Sequence, residues 1–142
     1  VTGTTGQAGS IAARLGLQRD SVVGEIGYDE DVDAEVRAAI ESATGSELLD
    51  EDADDVLDAV LLWWRSDDGD LTDALVDAIT LLADDGVIAL LTPRTGRPGY
   101  VEPSEIAEAT QTAGLAQTTS APGGPNWILT KLARSRSRQS RR

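Results

Sequence analysis

Apolar residues fall into two kinds of run along this chain, and the two predict different elements. Ala59 to Trp64 (AVLLWW) and Val87 to Leu91 (VIALL) are unbroken apolar stretches. Short runs without polar alternation suit strands buried on both faces. Further strands are expected at Ser21–Ile26, Leu115–Thr119 and Trp127–Leu132, with a short edge strand at Glu47–Leu49. Elsewhere the apolar positions recur with helical spacing. Val32, Val36, Ile40 and Ala43 share one face of a helix expected over Asp29–Thr44, and Gly45 stands where a glycine ends a helix. Asp70 is placed to cap a helix carrying Leu71, Leu75, Ile79 and Leu82, closed by Gly86. Pro103–Ala113 has proline at its start and Gly114 at its end, the usual asymmetry of a helix. A shorter helix over Ile11–Leu15 stops at Gly16.

Strands that alternate with helices predict an α/β fold. The expected architecture is three layers: a mostly parallel, doubly wound sheet with helices on both faces. The last two strands are separated only by Ala121–Pro125 (APGGP), too short for a crossover helix, so the C-terminal strand is expected antiparallel. One α/β domain should occupy 11–133. The Gly/Thr-rich residues 1–10 are expected to fray. Residues 134–142 alternate Arg and Ser without apolar side chains and are expected to be a disordered basic tail.

Composition narrows the chemistry. The 142 residues include no His and no Cys. Histidine-based general acid–base catalysis, thiol and Ser-His-Asp nucleophiles, disulfides and ordinary structural zinc sites are therefore excluded. No apolar run approaches the ~20 residues of a membrane-spanning helix, and no secretory leader is visible, so a cytoplasmic location is expected. The chain opens at Val1, which leaves room for a missing start. The net charge is −13, but its distribution says more. Residues 1–133 hold 7 basic and 25 acidic groups, a balance of −18, whereas Arg134, Arg136, Arg138, Arg141 and Arg142 give the tail +5. So acidic a body repels nucleic acid and anionic membranes, and only those five arginines suit an anionic partner. The same tail can instead fold back on the acidic body. Eleven Arg against one Lys fits a GC-rich genome, with salt adaptation as the competing explanation for the Asp excess.

A parallel sheet finished by an antiparallel strand is the plan of S-adenosylmethionine-dependent methyltransferases. The stretch DAVLLWWRSDDGDLTDALVDAITLLADDGVIALLT resembles their central strand–helix–turn–strand segment, with Leu82-Ala83-Asp84-Asp85-Gly86 at the turn. The blocks LGLQRDSVVGEIGYDEDVD, ELLDEDADDVLDAVLLWWRSDDGDL, LADDGVIALLTPRTGRPGYV and NWILTKL, in that order, resemble a small family common in actinobacteria and designated domain of unknown function 3052. That resemblance spans about residues 11–133 and implies the fold without implying an activity.

Ligands of doubly wound sheets bind at the C-terminal strand ends, where the strand order reverses. Here that mouth is expected between the first strand and Ala59–Trp64, with Gly27, Tyr28, Asp29, Arg65, Ser66, Thr92 and Arg94 around it. The first turn, Glu25-Ile26-Gly27-Tyr28-Asp29-Glu30-Asp31, begins with the acidic-x-Gly of a cofactor turn. It then places Tyr28 and Asp29 where further small residues would let backbone approach a ligand. The carboxylates expected at the helix start would also repel phosphate, disfavouring NAD or ATP. S-adenosylmethionine, cationic at sulfur, stays open, beside a relic turn that binds no cofactor.

Three further features carry alternatives. Asp29, Asp31 and Asp33 alternate like the opening of a calcium loop, but Ala34 and Ile40 stand where its glycine and glutamate belong, so a solvated helix start is the better reading. Trp63 and Trp64 should point to opposite faces, both as core or with one reaching the mouth beside Arg65. Arg94 and Arg97 can hold a carboxylate or phosphate at the mouth, or pair with nearby aspartates. The expectation is a non-catalytic binding or regulatory protein with no cofactor. A small S-adenosylmethionine binder or methyltransferase, and an acidic protein-interaction module, are the alternatives.

Overall fold

In the computed structural model, residues 11–50 and 56–134 are described. The elements run β1 (Val23–Ile26), α2 (Ala34–Thr44), β2 (Leu57–Trp63), α3 (Leu71–Ile79), β3 (Leu82–Pro93), α4 (Pro103–Thr112), β4 (Leu115–Pro122) and β5 (Trp127–Arg134), preceded by the helical residues 11–15, α1. The sheet order is β1-β2-β3-β5-β4. β1, β2 and β3 are parallel, and β5 is antiparallel to both β3 and β4. Leu49 forms a parallel bridge to Gly24 on the outer side of β1, so the chain leaves β1 one way and returns as β2 on the other. The order of strands therefore reverses between β1 and β2, where the pattern placed the mouth.

The period of two along β2 sorts the core. Ala59, Leu61 and Trp63 point to the face covered by α1 and α2 and meet Ile11, Leu15, Val36 and Ile40. Val60, Leu62 and Trp64 point to the opposite face and meet Leu71, Leu75, Ala78, Ile106 and Ala109 of α3 and α4. Both tryptophans are buried, so each serves as core. β2 lies between two parallel strands and under helices on both sides, which is why its sequence contains an unbroken apolar run.

Several boundaries differ from the sequence reading. The second helix begins at Ala34, not Asp29: Asp33 is its cap, and its carboxylate accepts from the Glu35 and Val36 N–H groups. Asp29 to Val32 therefore form a loop above the sheet. At the next helix the apolar spacing continues through Leu82, but the helix ends at Ile79. Leu82 instead begins β3 opposite Leu57, and pairing resumes at Ala59 opposite Val87. Two residues along β2 thus face five along β3, and Ala83–Gly86 bulges out in place of a simple turn. β4 continues to Pro122, so the expected 121–125 loop shrinks to 123–126.

Arg134, assigned to the tail from sequence, is the last residue of β5. Its guanidinium donates to the carbonyls of Ala83 (2.6 Å), Asp84 (2.9 Å) and Ile79 (3.3 Å), fixing the bulge to the end of α3. The expectations for residues 1–10 and for Arg136, Arg138, Arg141 and Arg142 lie outside the described residues. Among the described residues no helix is long and apolar enough to cross a membrane.

Candidate functional site

The mouth is built around Gly27, the residue after β1. Its φ of +84° is one that glycine alone adopts cheaply. A Cβ at this position would lie 2.3 Å from the Trp63 carbonyl oxygen. The bend therefore presses directly on the end of β2, and Arg65, two residues beyond Trp63, closes over it. Arg65 Nη1 donates to the Gly27 carbonyl at 2.8 Å and to the Trp63 carbonyl at 3.3 Å. Its Nε donates to Asp31 Oδ2 at 3.1 Å, and Nη2 makes a second, shorter bond to Asp31 Oδ1. The fork is thus bidentate, the strongest common geometry for a guanidinium and a carboxylate. Asp68 adds a looser contact at 3.5 Å.

These pairings move both groups' proton affinities. The Arg65 hydrogen bond holds the Asp31 carboxyl below its ordinary range, against the opposing effect of burial. Burial works against the Arg65 charge, but bonding to Asp31 and the charges of Asp31 and Asp68 outweigh it and raise its pKa.

A second ion pair lies beneath the first. Glu25, the penultimate residue of β1, is only 7% exposed. Arg37 Nε reaches its Oε2 at 2.7 Å and Arg37 Nη2 its Oε1 at 2.9 Å, while Trp63 Nε1 donates to Oε2 at 2.9 Å. The bond to Glu25 raises the Arg37 pKa. Trp63 meets Trp127 edge-on, with ring centroids 4.9 Å apart, and Trp127 Nε1 donates to the Asp31 carbonyl at 3.1 Å. The Arg65 guanidinium sits 5.3 Å from the Trp127 ring centre. Glu25, Arg37, Asp31, Arg65, Trp63 and Trp127 thus form one linked network across the bend.

The residues expected at the mouth are distributed unevenly. Gly27 and Arg65 touch. The Ser66 N–H donates to the Gly99 carbonyl at 2.9 Å, which fastens the 94–100 loop beside Arg65. Arg94 approaches through its backbone N–H to Asn126 (3.0 Å) and a long contact from Nη2 to the Gly124 carbonyl (3.5 Å). Its Nε is buried without a partner, and neither Arg94 nor Arg97 forms an ion pair with a described carboxylate.

Tyr28 does not block the bend as its bulk suggested. It is 60% exposed and lies under the Arg37 guanidinium, 4.9 Å from its ring centre, while Arg65 and Asp31 lie against the bend. Asp29 is exposed, and its carboxylate accepts from the Glu30 N–H at 2.8 Å. Thr92 is the penultimate residue of β3, buried on the α3–α4 face and two strands away from β1 in the sheet order. Asp29, Asp31 and Asp33 do not converge, since they serve a local turn, Arg65 and the α2 cap respectively. Among the described residues no cluster of three acidic side chains could hold a metal ion.

Sequence reasoning missed Arg37 and Trp127 as members of this network, and it weighed Asp31 only as a helix-start charge or calcium ligand. One signal for Arg37 was available. It is the only basic residue between Asp20 and Arg65, and it lies one position beyond Val36 on a helix whose apolar face is plain.

Solved structures share this architecture at low identity. The pyocyanin biosynthetic protein PhzM matches with a TM-score of 0.66 and 14% identity, over 92% of this chain and 55% of that one. The mitomycin 7-O-methyltransferase MmcR gives 0.61 and 17%, over 93% of this chain and 54% of that one. The chain thus spans about half the length of each. A SAM-dependent methyltransferase from Aquifex aeolicus gives 0.62 and 11%, over 90% of this chain and 89% of that one. The fold is therefore methyltransferase-like. In sequence the chain is 56% identical over 135 residues, 95% of its own length and 85% of the relative's, to uncharacterized proteins of Mycobacterium tuberculosis and Mycobacterium bovis. Residues 12–136 match the family described as Protein of unknown function (DUF3052), and the chain belongs to that family.

Proposed function

We propose that this protein is a non-catalytic binding or regulatory module, built on a methyltransferase-like sheet whose cofactor bend is closed by its own side chains. The observation that carries the reading is the Arg65 fork, bonded at once to Gly27, Trp63 and Asp31. In a cofactor-binding sheet the backbone after the first strand must lie open to the ligand. Here the Gly27 carbonyl is covered by a guanidinium that is itself held by a carboxylate, with Trp127 packed behind it. Displacing Arg65 would strip five acceptor atoms of a charged donor, the Asp68 contact being the longest, and a charge-assisted bond is worth more than a neutral one. The charged groups of the network are committed to one another.

Titration calorimetry of the full chain with S-adenosylmethionine, S-adenosylhomocysteine, ATP and NAD tests this reading. No heat of binding is expected at ligand concentrations up to the millimolar range. Micromolar affinity for S-adenosylmethionine would replace it with the second reading, a small S-adenosylmethionine binder. That alternative is favoured by Glu25-Ile26-Gly27 at the end of β1 and by the fold itself.

A further inference from the structure

The opposite face of the sheet holds a feature that the mouth does not use. A pocket of about 230 Å³ opens where β3, β5 and β4 pass beyond the cover of α4. Its floor includes Thr92 and Thr130, and its walls include Pro93, Tyr100, Ile106 and Gln117. Leu90 pairs with Thr130 and Thr92 with Ile128, so the two threonines are diagonal neighbours on one face of the β3–β5 ladder. They are 3% and 4% exposed, and neither hydroxyl has a hydrogen-bond partner among the described residues. Neither hydroxyl oxygen is fully enclosed, unlike Trp64 Nε1 and Arg94 Nε, so both open on the pocket and take their hydrogen bonds from whatever occupies it.

The wall also limits what can enter. None of the lining residues carries a formal charge, although the chain has 25 acidic and 12 basic residues. An ionic ligand would lose its hydration there and gain no counter-charge. The Tyr100 ring and the Pro93 ring supply flat apolar surface, and the volume matches about seven or eight waters at ~30 Å³ each. A hydroxyl both donates and accepts, and a primary amide presents one acceptor and donors to match.

We infer that this pocket is a binding site for a small uncharged ring compound bearing an amide or similar neutral hydrogen-bonding group, held by the Thr92 and Thr130 hydroxyls. The site is separate from the Gly27 bend and does not depend on whether that bend is closed.

The test is amide-resolved NMR of the full ¹⁵N-labelled chain titrated with benzamide and, separately, with benzoate, which has the same shape but a charge. Saturable shifts at Thr92, Val101, Gln117 and Thr130 are expected with benzamide, and at least tenfold weaker binding with benzoate. Thr130→Val and Thr92→Val remove hydroxyls that bond nothing in the protein. Each should therefore leave the melting temperature unchanged or slightly raised while weakening benzamide about tenfold. The inference is overturned if benzamide gives no saturable shifts at these amides up to its solubility limit. It is equally overturned if benzoate binds as well as benzamide, or if both valine variants bind benzamide like the wild type.

Discussion

Replacing Glu25 by glutamine changes almost nothing in shape and a great deal in bonding. Three donors converge on two carboxylate oxygens: Arg37 Nε and Trp63 Nε1 on Oε2, and Arg37 Nη2 on Oε1. Glutamine offers one acceptor oxygen and one NH₂. If the oxygen takes the Oε2 position, the NH₂ faces Arg37 Nη2, donor against donor. If it takes the other position, the buried Trp63 N–H loses its acceptor. Arg37 is 29% exposed and can turn partly to water, so the first arrangement should prevail. The cost is then the loss of one charge-assisted bond and weakening of the rest, about 2 kcal/mol. Glu25→Ala also strands the indole N–H and leaves a void, for about 3–4 kcal/mol.

Urea unfolding followed by tryptophan emission reports this directly, because Trp63, Trp64 and Trp127 are all buried. For a domain of this size each kcal/mol lowers the melting temperature by about 4 °C, so Glu25→Gln should melt roughly 8 °C below the wild type. A double-mutant cycle with Trp63→Phe, which deletes the competing donor, should recover about 1 kcal/mol of coupling. If Glu25→Gln lies within about 0.5 kcal/mol of the wild type, the network does not hold β1 to α2 as argued.

The bend gives two further predictions. Gly27→Ala combines a φ of +84° with a Cβ 2.3 Å from the Trp63 carbonyl oxygen, whereas Gly96→Ala has a similar φ and open space. Thermal denaturation should show a loss of about 1–2 kcal/mol at Gly96 and at least about 2 kcal/mol more at Gly27; equal losses would mean the carbonyl contact is unimportant. Arg65 holds the Asp31 carboxyl below its ordinary range, so the ionised pair stabilises the fold above about pH 4 and that contribution is lost as pH falls through the lowered value. Because Asp31 is half exposed, the stability difference between wild type and Asp31→Asn should be no more than about 1 kcal/mol at pH 7, shrinking below pH ~4. Melting curves across that range check it, and a gap that widens in acid contradicts the sign.

Much of the fold was legible because Ala59–Trp64 and Val87–Leu91 are apolar without interruption, and because the short segment Ala121–Pro125 cannot house a crossover helix. What misled was local chemistry with several equivalent solutions. Asp29, Asp31 and Asp33 are equally good caps by type. The tertiary structure decides among them, since Arg65 takes Asp31 and Gly124 packs so closely on Asp33 that an added Cβ would lie 2.1 Å from its carboxylate. Leu82 keeps helical spacing with Leu75 and Ile79, but strand pairing with Leu57 claims it. The bend was recognisable from Glu25-Ile26-Gly27, whereas what covers it was not. Arg37 reaches Glu25 through the turn into α2, and Trp127 reaches Asp31 across 96 positions of chain. The Trp127 contact leaves no trace in sequence spacing, and the Arg37 contact leaves only that of a lone basic residue between Asp20 and Arg65.

β5 lies between β3 and β4 although it comes after both in the chain. During synthesis the centre of the sheet must therefore wait. β1, β2 and β3 can assemble with α2 and α3, but the far side of β3 keeps an unfilled row of backbone donors and acceptors until Trp127–Arg134 emerges and slots in. β4 joins the sheet only through that late strand. Such non-local closure slows folding and prolongs the exposure of an apolar ladder that other chains can pair with. Any nascent or truncated form ending before Trp127 would carry an open, sticky seam through its middle rather than a trimmed edge.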